Sequence, residues 1–266
     1  MSLIDTHTHL DGFQQQGALP GILARAKAAG LEGMIAIGTG PDDWGVHREI
    51  AAANPGFVHA TVGLHPCAVE AGWEGAVAQI ADFWASANPK PVALGECGLD
   101  RFHLPKDAPA EAKLLFSWQQ AAFAAQLEIA RCLGCPVVVH SRGAFKECLA
   151  MIAASGVDWA KVVFHCFAEG AGEIAELNRL GGRGSFTGIL TYKNADNVRA
   201  AAKAQGLGPL MVETAAPYLA PAPHRGKPNE PAYVKHIADY AADLLGLSRE
   251  ELAAATTANA RRFFGI

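Results

Sequence analysis

The segment Leu3-Ile4-Asp5-Thr6-His7-Thr8-His9 is typical of a β-strand, and it begins the alternation of strands and helices that decides the fold. Successive side chains of a strand point to opposite faces, so His7 and His9 are predicted to share one face near its carboxyl end. Two imidazoles placed in this way form half of a divalent-metal site. An isolated H-x-H pair is a weak signal, however, because ordinary surface or core histidines produce it as well.

Apolar β-type runs alternate with alanine-rich helical stretches along the rest of the chain. Eight such β/α units in 266 residues predict an α/β fold, a single TIM (β/α)8 barrel with an extra C-terminal helix. The predicted strands are residues 3–9, 33–38, 57–63, 91–96, 136–140, 161–165, 183–186 and 209–213. The predicted helices are residues 20–30, 42–53, 73–87, 109–133, 143–154, 170–180, 195–205, 230–245 and 248–264.

The composition predicts a folded chain with a sizeable core, because 50% of the residues are hydrophobic and 18% are charged. The length allows one α/β barrel or two small domains. No linker rich in Pro, Gly or Ser divides the sequence, so we expect one domain over residues 1–266. Neither a signal peptide nor an apolar run of the roughly 18–20 residues that span a membrane is visible. We therefore expect a cytoplasmic protein, and a monomer, that does not bind membranes.

The net charge of −4 argues against a broad electropositive face that grips duplex nucleic acid. The same charge is compatible with a nucleic-acid substrate that binds only at a local, metal-assisted site. The six cysteines include one C-x-x-C pair, Cys132 and Cys135, but no second pair completes a zinc ribbon. Reduced, structural thiols are the expected state of all six.

Histidine and glutamate side chains fall at the predicted carboxyl ends of four strands, the rim on which a TIM barrel carries its chemistry. They are His7 and His9 after strand one, Glu96 after strand four, His140 after strand five and His165 after strand six. Imidazole and carboxylate ligands suit zinc, manganese, iron or nickel, and magnesium where more oxygen is present. Four imidazoles and one carboxylate are too many for a single open ion. Two ions bridged by Glu96, about 3.5–4 Å apart, would use them all.

At this point the sequence resembles the TatD-type metal-dependent deoxyribonucleases of the amidohydrolase superfamily. The resemblance covers essentially the whole chain and implies a TIM barrel with two divalent ions, Mg, Mn or Zn. It also implies cleavage of DNA phosphodiester bonds from the end of a single strand, as in a 3′-to-5′ exonuclease. By this resemblance His7, His9 and Glu96 hold one ion, while Glu96, His140 and His165 hold the other. The matching motifs are Asp5-Thr6-His7-Thr8-His9-Leu10, Gly63-Leu64-His65-Pro66, Gly95-Glu96-Cys97-Gly98-Leu99-Asp100, His140-Ser141-Arg142, His165-Cys166-Phe167, Thr191-Tyr192-Lys193-Asn194-Ala195, Glu213-Thr214, Pro217-Tyr218-Leu219-Ala220-Pro221 and His224-Arg225-Gly226-Lys227 with Asn229.

One position departs from the family pattern. An aspartate follows the Glu-Thr pair in that pattern, where it ligates the first ion and takes the proton from the attacking water, but this chain has Ala215 after Glu213-Thr214. The loss of a general base is expected to slow catalysis by about 10²–10⁴-fold. Glu213 shares the face of Ala215 on a regular strand and is either a partial substitute or a polar residue inside the barrel. The change is either natural divergence or an engineered inactivation.

Basic side chains near the predicted rim are candidates for binding the substrate's phosphate. Arg142, Lys193 and Arg225 are expected to contact phosphate oxygens, although each would otherwise be an ordinary solvated loop charge. His65 is expected to bind a phosphate or a metal-bound water. We therefore take Glu96, His65 and Arg142 as the candidate catalytic residues.

For three other polar and aromatic residues the sequence allows two roles each. Asp100 either orients a ligand histidine or caps a loop, and Tyr192 and Tyr218 either stack on a base or anchor a loop. The histidines outside the predicted strand ends are expected to be uninvolved, namely His47, His59, His103 and His236.

Three functions follow from these residues. The first is the deoxyribonuclease, impaired by Ala215. The second is an amide or ester hydrolase of a small metabolite on the same scaffold; many such barrels bridge their ions with a lysine, and Glu96 in that place counts against it. The third is a pseudoenzyme that binds metal or nucleic acid without catalysis, which Ala215 favours.

Overall fold

Strands and helices alternate along the chain in the computed structural model, which describes residues 2–266. The strands are β1 (Leu3–Thr8), β2 (Leu31–Ala36), β3 (Val58–Val62), β4 (Ala93–Asp100), β5 (Val137–Arg142), β6 (Val162–Phe164), β7 (Arg183–Phe186) and β8 (Met211–Val212). The helices are α1 (Asp11–Gln15), α2 (Leu19–Ala28), α3 (Pro41–Ala53), α4 (Trp73–Ser86), α5 (Pro109–Leu133), α6 (Phe145–Ser155), α7 (Ala171–Leu180), α8 (Asp196–Gln205), α9 (Val234–Leu245) and α10 (Arg249–Phe264).

All eight strands are parallel and neighbour one another in the order of the sequence. The last strand returns to the first, where the amide of Ala215 donates to the His7 carbonyl and the amide of His9 donates to the Ala216 carbonyl, each at 2.8 Å. These bonds close the sheet into a barrel. The TIM (β/α)8 prediction is therefore confirmed, including the additional helix α10 at the carboxyl end.

The core has two layers, because alternate residues of each strand face opposite sides of the sheet. Val137 and Val139 pack with the apolar faces of the outer helices. Val138 lies on the other side, in a second cluster that α10 completes with Phe263 and Phe264. This second cluster lies on the same side of β5 as His140, two residues further on. An apolar floor therefore supports the polar residues of the strand ends.

Several boundaries differ from the prediction, and the ladder hydrogen bonds explain why. β4 does not end at Glu96 but continues to Asp100, and β5 continues past His140 to Arg142. The two extensions pair with each other, with Gly98 opposite His140 and Asp100 opposite Arg142. Their glycine and polar residues hide this pairing from a hydrophobicity pattern. Glu96 consequently lies inside its strand rather than at its end.

Two further observations concern the cysteines and the helices. All six cysteines are free, as predicted. Among residues 2–266 no helix has both the length and the apolar character needed to cross a bilayer.

Candidate metal centre

A buried carboxylate lies at the middle of the site. The side chain of Glu96 is 2% exposed and has imidazole nitrogens around both of its oxygens. Its Oε1 lies 2.7 Å from Nε2 of His165, 2.8 Å from Nδ1 of His140 and 3.3 Å from Nε2 of His65. Its Oε2 lies on the other side of the carboxylate, 3.2 Å from Nε2 of His7. The two oxygens of one carboxylate therefore serve two different sets of histidines.

Two groups of potential metal ligands share this glutamate. His7, His9 and Glu96 place one ligand atom each within 4.8 Å of one another, and His65, Glu96 and His140 do the same. These atoms are close enough for either group to bind one ion. The structure thus brings all five residues predicted as metal ligands to one place, although it groups His65 rather than His165 with Glu96 and His140. His165 contacts Glu96 directly and also forms a third group with His7 and Glu213.

His7 supplies a test of whether a metal fits. It is completely buried, yet among the described residues Nδ1 has no partner, and Nε2, although 3.2 Å from Oε2 of Glu96, makes no hydrogen bond of good geometry. Buried polar atoms are almost always satisfied, so an imidazole of this kind fits a metal ligand better than a packing residue. Burial lowers the pKa of His7, and burial together with His7 lowers the pKa of His9 to about 3. Both rings are therefore neutral, as metal ligation requires.

The electrostatics of the centre also favour a cation. Burial alone would raise the pKa of Glu96, but His165 and His65 beside it, together with a hydrogen bond from His140, outweigh burial and hold that pKa well below its usual range. Burial would lower the pKa of His165, yet the carboxylates of Glu96 and Glu213 raise it well above the usual value. The buried anion thus needs positive charge beside it, which the proton of His165 provides in the absence of an ion and which a divalent ion would provide once it displaced that proton.

A second carboxylate orients His140. The Nε2 atom of this ring lies 2.9 Å from Oδ2 of Asp100, on the side away from Glu96. Asp100 is itself buried, and its amide donates to the Oε1 atom of Gln119 on α5 at 2.9 Å. This is the carboxylate–histidine arrangement that fixes the tautomer and ring orientation of a metal ligand. The geometry fits both roles considered for Asp100, because its Oδ2 orients His140 while its Oδ1 accepts from the His103 amide in the loop that follows.

Glu213 has the same relation to His165. Its Oε1 lies 3.3 Å from Nδ1 of that ring and accepts a hydrogen bond from the amide of Cys166 at 2.6 Å. Its Oε2 accepts from the hydroxyl of Ser185 at 2.5 Å. With both oxygens already occupied by donors, Glu213 is an orienting group rather than a free base.

Sequence reasoning missed His103, which was expected to be uninvolved. Its Nδ1 lies 2.8 Å from Oδ2 of Asp100, and its amide donates to Oδ1 of the same residue at 2.9 Å. The spacing carried a usable signal, because an aspartate commonly accepts from the backbone a few residues further on in a turn. The extension of β4 to Asp100, which the sequence did not reveal, places this turn beside the centre.

The predicted phosphate ligands surround the centre without touching it. Arg142, Lys193 and Arg225 are all exposed, and no ion pair or hydrogen bond within residues 2–266 joins their side chains to the histidines. The guanidinium of Arg142 lies 4.0 Å from the ring centre of Phe102, and that of Arg225 lies 4.3 Å from the ring centre of Tyr192. Arg142 ends β5, while Lys193 and Arg225 lie in the segments that follow β7 and β8.

Ala215 lies beside β1 with an unusual backbone. It is buried, and its φ angle is +53°. This is the left-handed region, which alanine rarely adopts and which asparagine and aspartate adopt several times more often than other residues with a side chain.

A TIM barrel in which a buried glutamate is surrounded by imidazoles, two of them oriented by further carboxylates, defines a metal-dependent hydrolase. The family model described as TatD related DNase matches residues 4–265. The chain therefore belongs to the TatD family of metal-dependent hydrolases.

Individual relatives agree over the full length. An uncharacterized metal-dependent hydrolase of Escherichia coli K12, YcfH, is 37% identical over 270 residues, which cover 100% of this chain and 97% of that protein. The 3′-5′ ssDNA/RNA exonuclease TatD of Edwardsiella piscicida is 34% identical and covers 99% of this chain and 100% of its own length. The crystal structure of YjjV, a TatD homologue of E. coli K12, superposes with a TM-score of 0.89 at 27% identity, covering 99% and 98% of the two chains.

Proposed function

We propose that this chain is a nuclease that hydrolyses phosphodiester bonds at the 3′ end of single-stranded DNA, at a centre of two divalent ions. The observation that carries the proposal is the division of the Glu96 carboxylate, with Oε2 facing His7 and Oε1 facing His140 and His165. Relatives that are 34% and 35% identical carry the name 3′-5′ ssDNA/RNA exonuclease, which supports the substrate class.

In this proposal His7 and His9 hold one ion, His140 and His165 hold the other, and Glu96 bridges them. When bound, two such ions activate a water molecule and stabilise the charge of the attacking and leaving oxygens. Imidazole and carboxylate donors are compatible with magnesium, manganese and zinc. Asp100 and Glu213 hold His140 and His165 in place, so that those rings need not reorganise when an ion binds.

The remaining residues would bind the nucleic acid. Nε2 of His65 lies within 3.3 Å of Glu96, close enough to donate to a phosphate oxygen bound at the centre. Arg142 would clamp a phosphate with its planar guanidinium, and Arg225 and Lys193 would neutralise phosphates further along the strand. A few rim cations suit a single strand that enters by its end, and they are consistent with a chain whose net charge is −4.

Ala215 reduces the activity in this proposal. Its positive φ supports the idea that the backbone is built for an aspartate or asparagine, because alanine in that region costs about 1–2 kcal/mol. The missing carboxylate would have accepted the proton of the attacking water, and its loss is expected to cost about 10²–10⁴-fold in rate. Glu213 is a poor replacement, because hydrogen bonds from the Cys166 amide and the Ser185 hydroxyl hold it against His165.

The decisive experiment compares this chain with its Ala215→Asp variant on a 5′-labelled single strand, with magnesium or manganese. We expect both to shorten the strand from its 3′ end, the variant about 10²–10⁴ times faster. Ala215→Asn, which fits the same backbone but is no base, serves as the control and should remain slow. If neither protein cuts DNA but one of them hydrolyses an amide or ester, the nuclease proposal is wrong.

Ala215 also favours a second candidate, a pseudoenzyme that retains the metal centre and binds nucleic acid without turnover. The same comparison separates the two. If this chain and its Ala215→Asp variant both bind metal and neither hydrolyses a substrate, the protein is a pseudoenzyme.

A further inference from the structure

A second group of potential metal ligands lies at the rim, outside the centre described above. It consists of the Cys67 thiol, the Asp100 carboxylate and the His103 imidazole, whose ligand atoms lie within 4.8 Å of one another. The Sγ atom of Cys67 is 3.6 Å from Oδ2 of Asp100 and 3.6 Å from Nδ1 of His103. The third side of this triangle, between His103 and Asp100, measures 2.8 Å.

These separations are close to those around a tetrahedral zinc ion. Zinc lies about 2.3 Å from sulfur and about 2.0–2.1 Å from nitrogen and oxygen, so tetrahedral angles separate sulfur from either lighter atom by about 3.5–3.6 Å. They separate nitrogen from oxygen by about 3.3 Å. Both sulfur distances already match, and the Asp100–His103 pair needs to open by only about half an ångström.

The three ligands come from two segments of the backbone, each fixed by hydrogen bonds. Cys67 lies in a 3-10 turn, Pro66–Ala68, whose preceding residue His65 accepts a hydrogen bond from the Cys67 amide at 3.0 Å. Asp100 ends β4 and is anchored to α5 through Gln119. The amide of His103 is bonded to Asp100. The group therefore requires little rearrangement to bind an ion.

Charge and access also suit zinc. Cys67 is exposed and the side chain of His103 is 54% exposed, so an ion and a fourth ligand from solvent can reach the group. When an ion binds, the thiol releases its proton to solvent, and the resulting thiolate together with the carboxylate of Asp100 balances two positive charges. A thiolate favours zinc over magnesium, which prefers oxygen alone.

We infer that Cys67, Asp100 and His103 form an additional zinc site at the rim of the barrel. It shares a carboxylate with the catalytic centre, because the Oδ2 atom of Asp100 also lies 2.9 Å from Nε2 of His140. The site differs from that centre in containing sulfur. This difference makes it visible separately from any ions bound by Glu96 and its histidines.

The test is a titration of the metal-free full-length chain with Co²⁺, a spectroscopic substitute for zinc. Thiolate ligation produces a near-ultraviolet charge-transfer band, which imidazole and carboxylate ligands do not. We expect a band whose final intensity corresponds to one thiolate-bound cobalt ion per chain, whatever number of ions the Glu96 centre takes up, and which is lost in both Cys67→Ser and His103→Ala. The matched control is Cys132→Ser, which should retain the band because Cys132 is also exposed but has no imidazole beside it.

The zinc content after dialysis provides a second readout, and we expect Cys67→Ser to hold one ion fewer than the parent chain. No band in the parent, or a band that persists in Cys67→Ser, would overturn the inference. Neither measurement uses DNA. Failure of the rim site would therefore leave the nuclease proposal standing, and failure of the nuclease proposal would not affect the rim site.

Discussion

The Oε1 atom of Glu213 lies 3.3 Å from Nδ1 of His165, on the opposite side of the ring from Glu96. Because Glu213 also accepts from the amide of Cys166 and the hydroxyl of Ser185, it is fixed in place and holds the imidazole with it. Carboxylates in this position set the tautomer and direction of a metal-binding histidine. The role of Glu213 is therefore testable by metal affinity as well as by activity.

We predict that Glu213→Gln lowers the affinity for Mn²⁺ by about 10–100-fold. The amide has a single acceptor oxygen and would bring two donor hydrogens towards donors that are already there, so the ring of His165 would lose its fixed direction. Calorimetric titration of the metal-free protein measures the effect. Glu176→Gln, at an exposed position of α7, is the matched control and should bind like the parent. An unchanged affinity in Glu213→Gln would contradict the orienting role.

The removal of metal is expected to lower the thermal stability. An ion that binds only the folded chain stabilises it by about 2.7 kcal/mol at a hundred times its Kd, which corresponds to several degrees in Tm for a chain of this size. The buried ring of His7, which makes no hydrogen bond of good geometry in the described structure, would gain a bond to the ion. Thermal scans with EDTA and with added Mn²⁺ measure it.

The Glu96→Gln variant tests whether the effect of metal on Tm depends on the Glu96 carboxylate. Its Tm should respond little to added metal, because a neutral amide cannot serve both groups of histidines as the carboxylate does. A parent chain whose Tm is the same with EDTA and with Mn²⁺ would show that the histidines do not bind an ion.

The architecture could be predicted from the sequence because its signals are local and repeated. A strand buried on both faces, such as β5, reads as a continuous apolar run whatever surrounds it, and the barrel follows from eight such units. The convergence of His7, His140 and His165 then follows from the geometry of the fold. Parallel strands place their carboxyl ends at one rim.

What the sequence did not reveal depends on contacts between distant segments. β4 continues to Asp100 because it pairs with β5, and no pattern within either segment shows this. The link from Asp100 to His103 and Cys67 exists only once that extension has formed. The backbone of Ala215 is equally invisible in the sequence, because alanine gives no sign of a positive φ.

The strained backbone of Ala215 predicts an unusual response to glycine. Glycine adopts φ +53° without penalty, so relief of about 1–2 kcal/mol should offset the greater freedom of the unfolded chain and the lost methyl group. We expect Ala215→Gly to change the free energy of unfolding by less than about 0.5 kcal/mol. Urea denaturation measures this.

Ala201→Gly is the control, at a fully buried position inside α8, where glycine has no strain to relieve. It should lower the free energy of unfolding by about 1 kcal/mol or more. Equal losses in the two variants would show that Ala215 is not strained.

Tyr218 is expected to bind a base of the substrate. Its side chain is 66% exposed, and its ring centre lies 6.2 Å from that of His9, so its face is open directly beside the centre. Tyr192, by contrast, donates its hydroxyl to the Ala220 carbonyl and is covered by Arg225, which fits a loop anchor. Stacking of one base on an aromatic ring contributes about 1–3 kcal/mol. We therefore predict that Tyr218→Ala raises the Kd for a short single strand by roughly 5- to 150-fold.

Fluorescence anisotropy with a labelled oligonucleotide measures this Kd, and the slow cleavage expected of the Ala215 chain allows equilibrium to be reached. Tyr218→Phe is the matched control, since it keeps the ring and loses only the hydroxyl, and it should bind like the parent. If Tyr218→Phe is as weak as Tyr218→Ala, the hydroxyl rather than stacking holds the strand. If Tyr218→Ala binds normally, the substrate approaches from another side, and the ring of Phe102 beside Arg142, which is 52% exposed, becomes the surface to test by the same substitution.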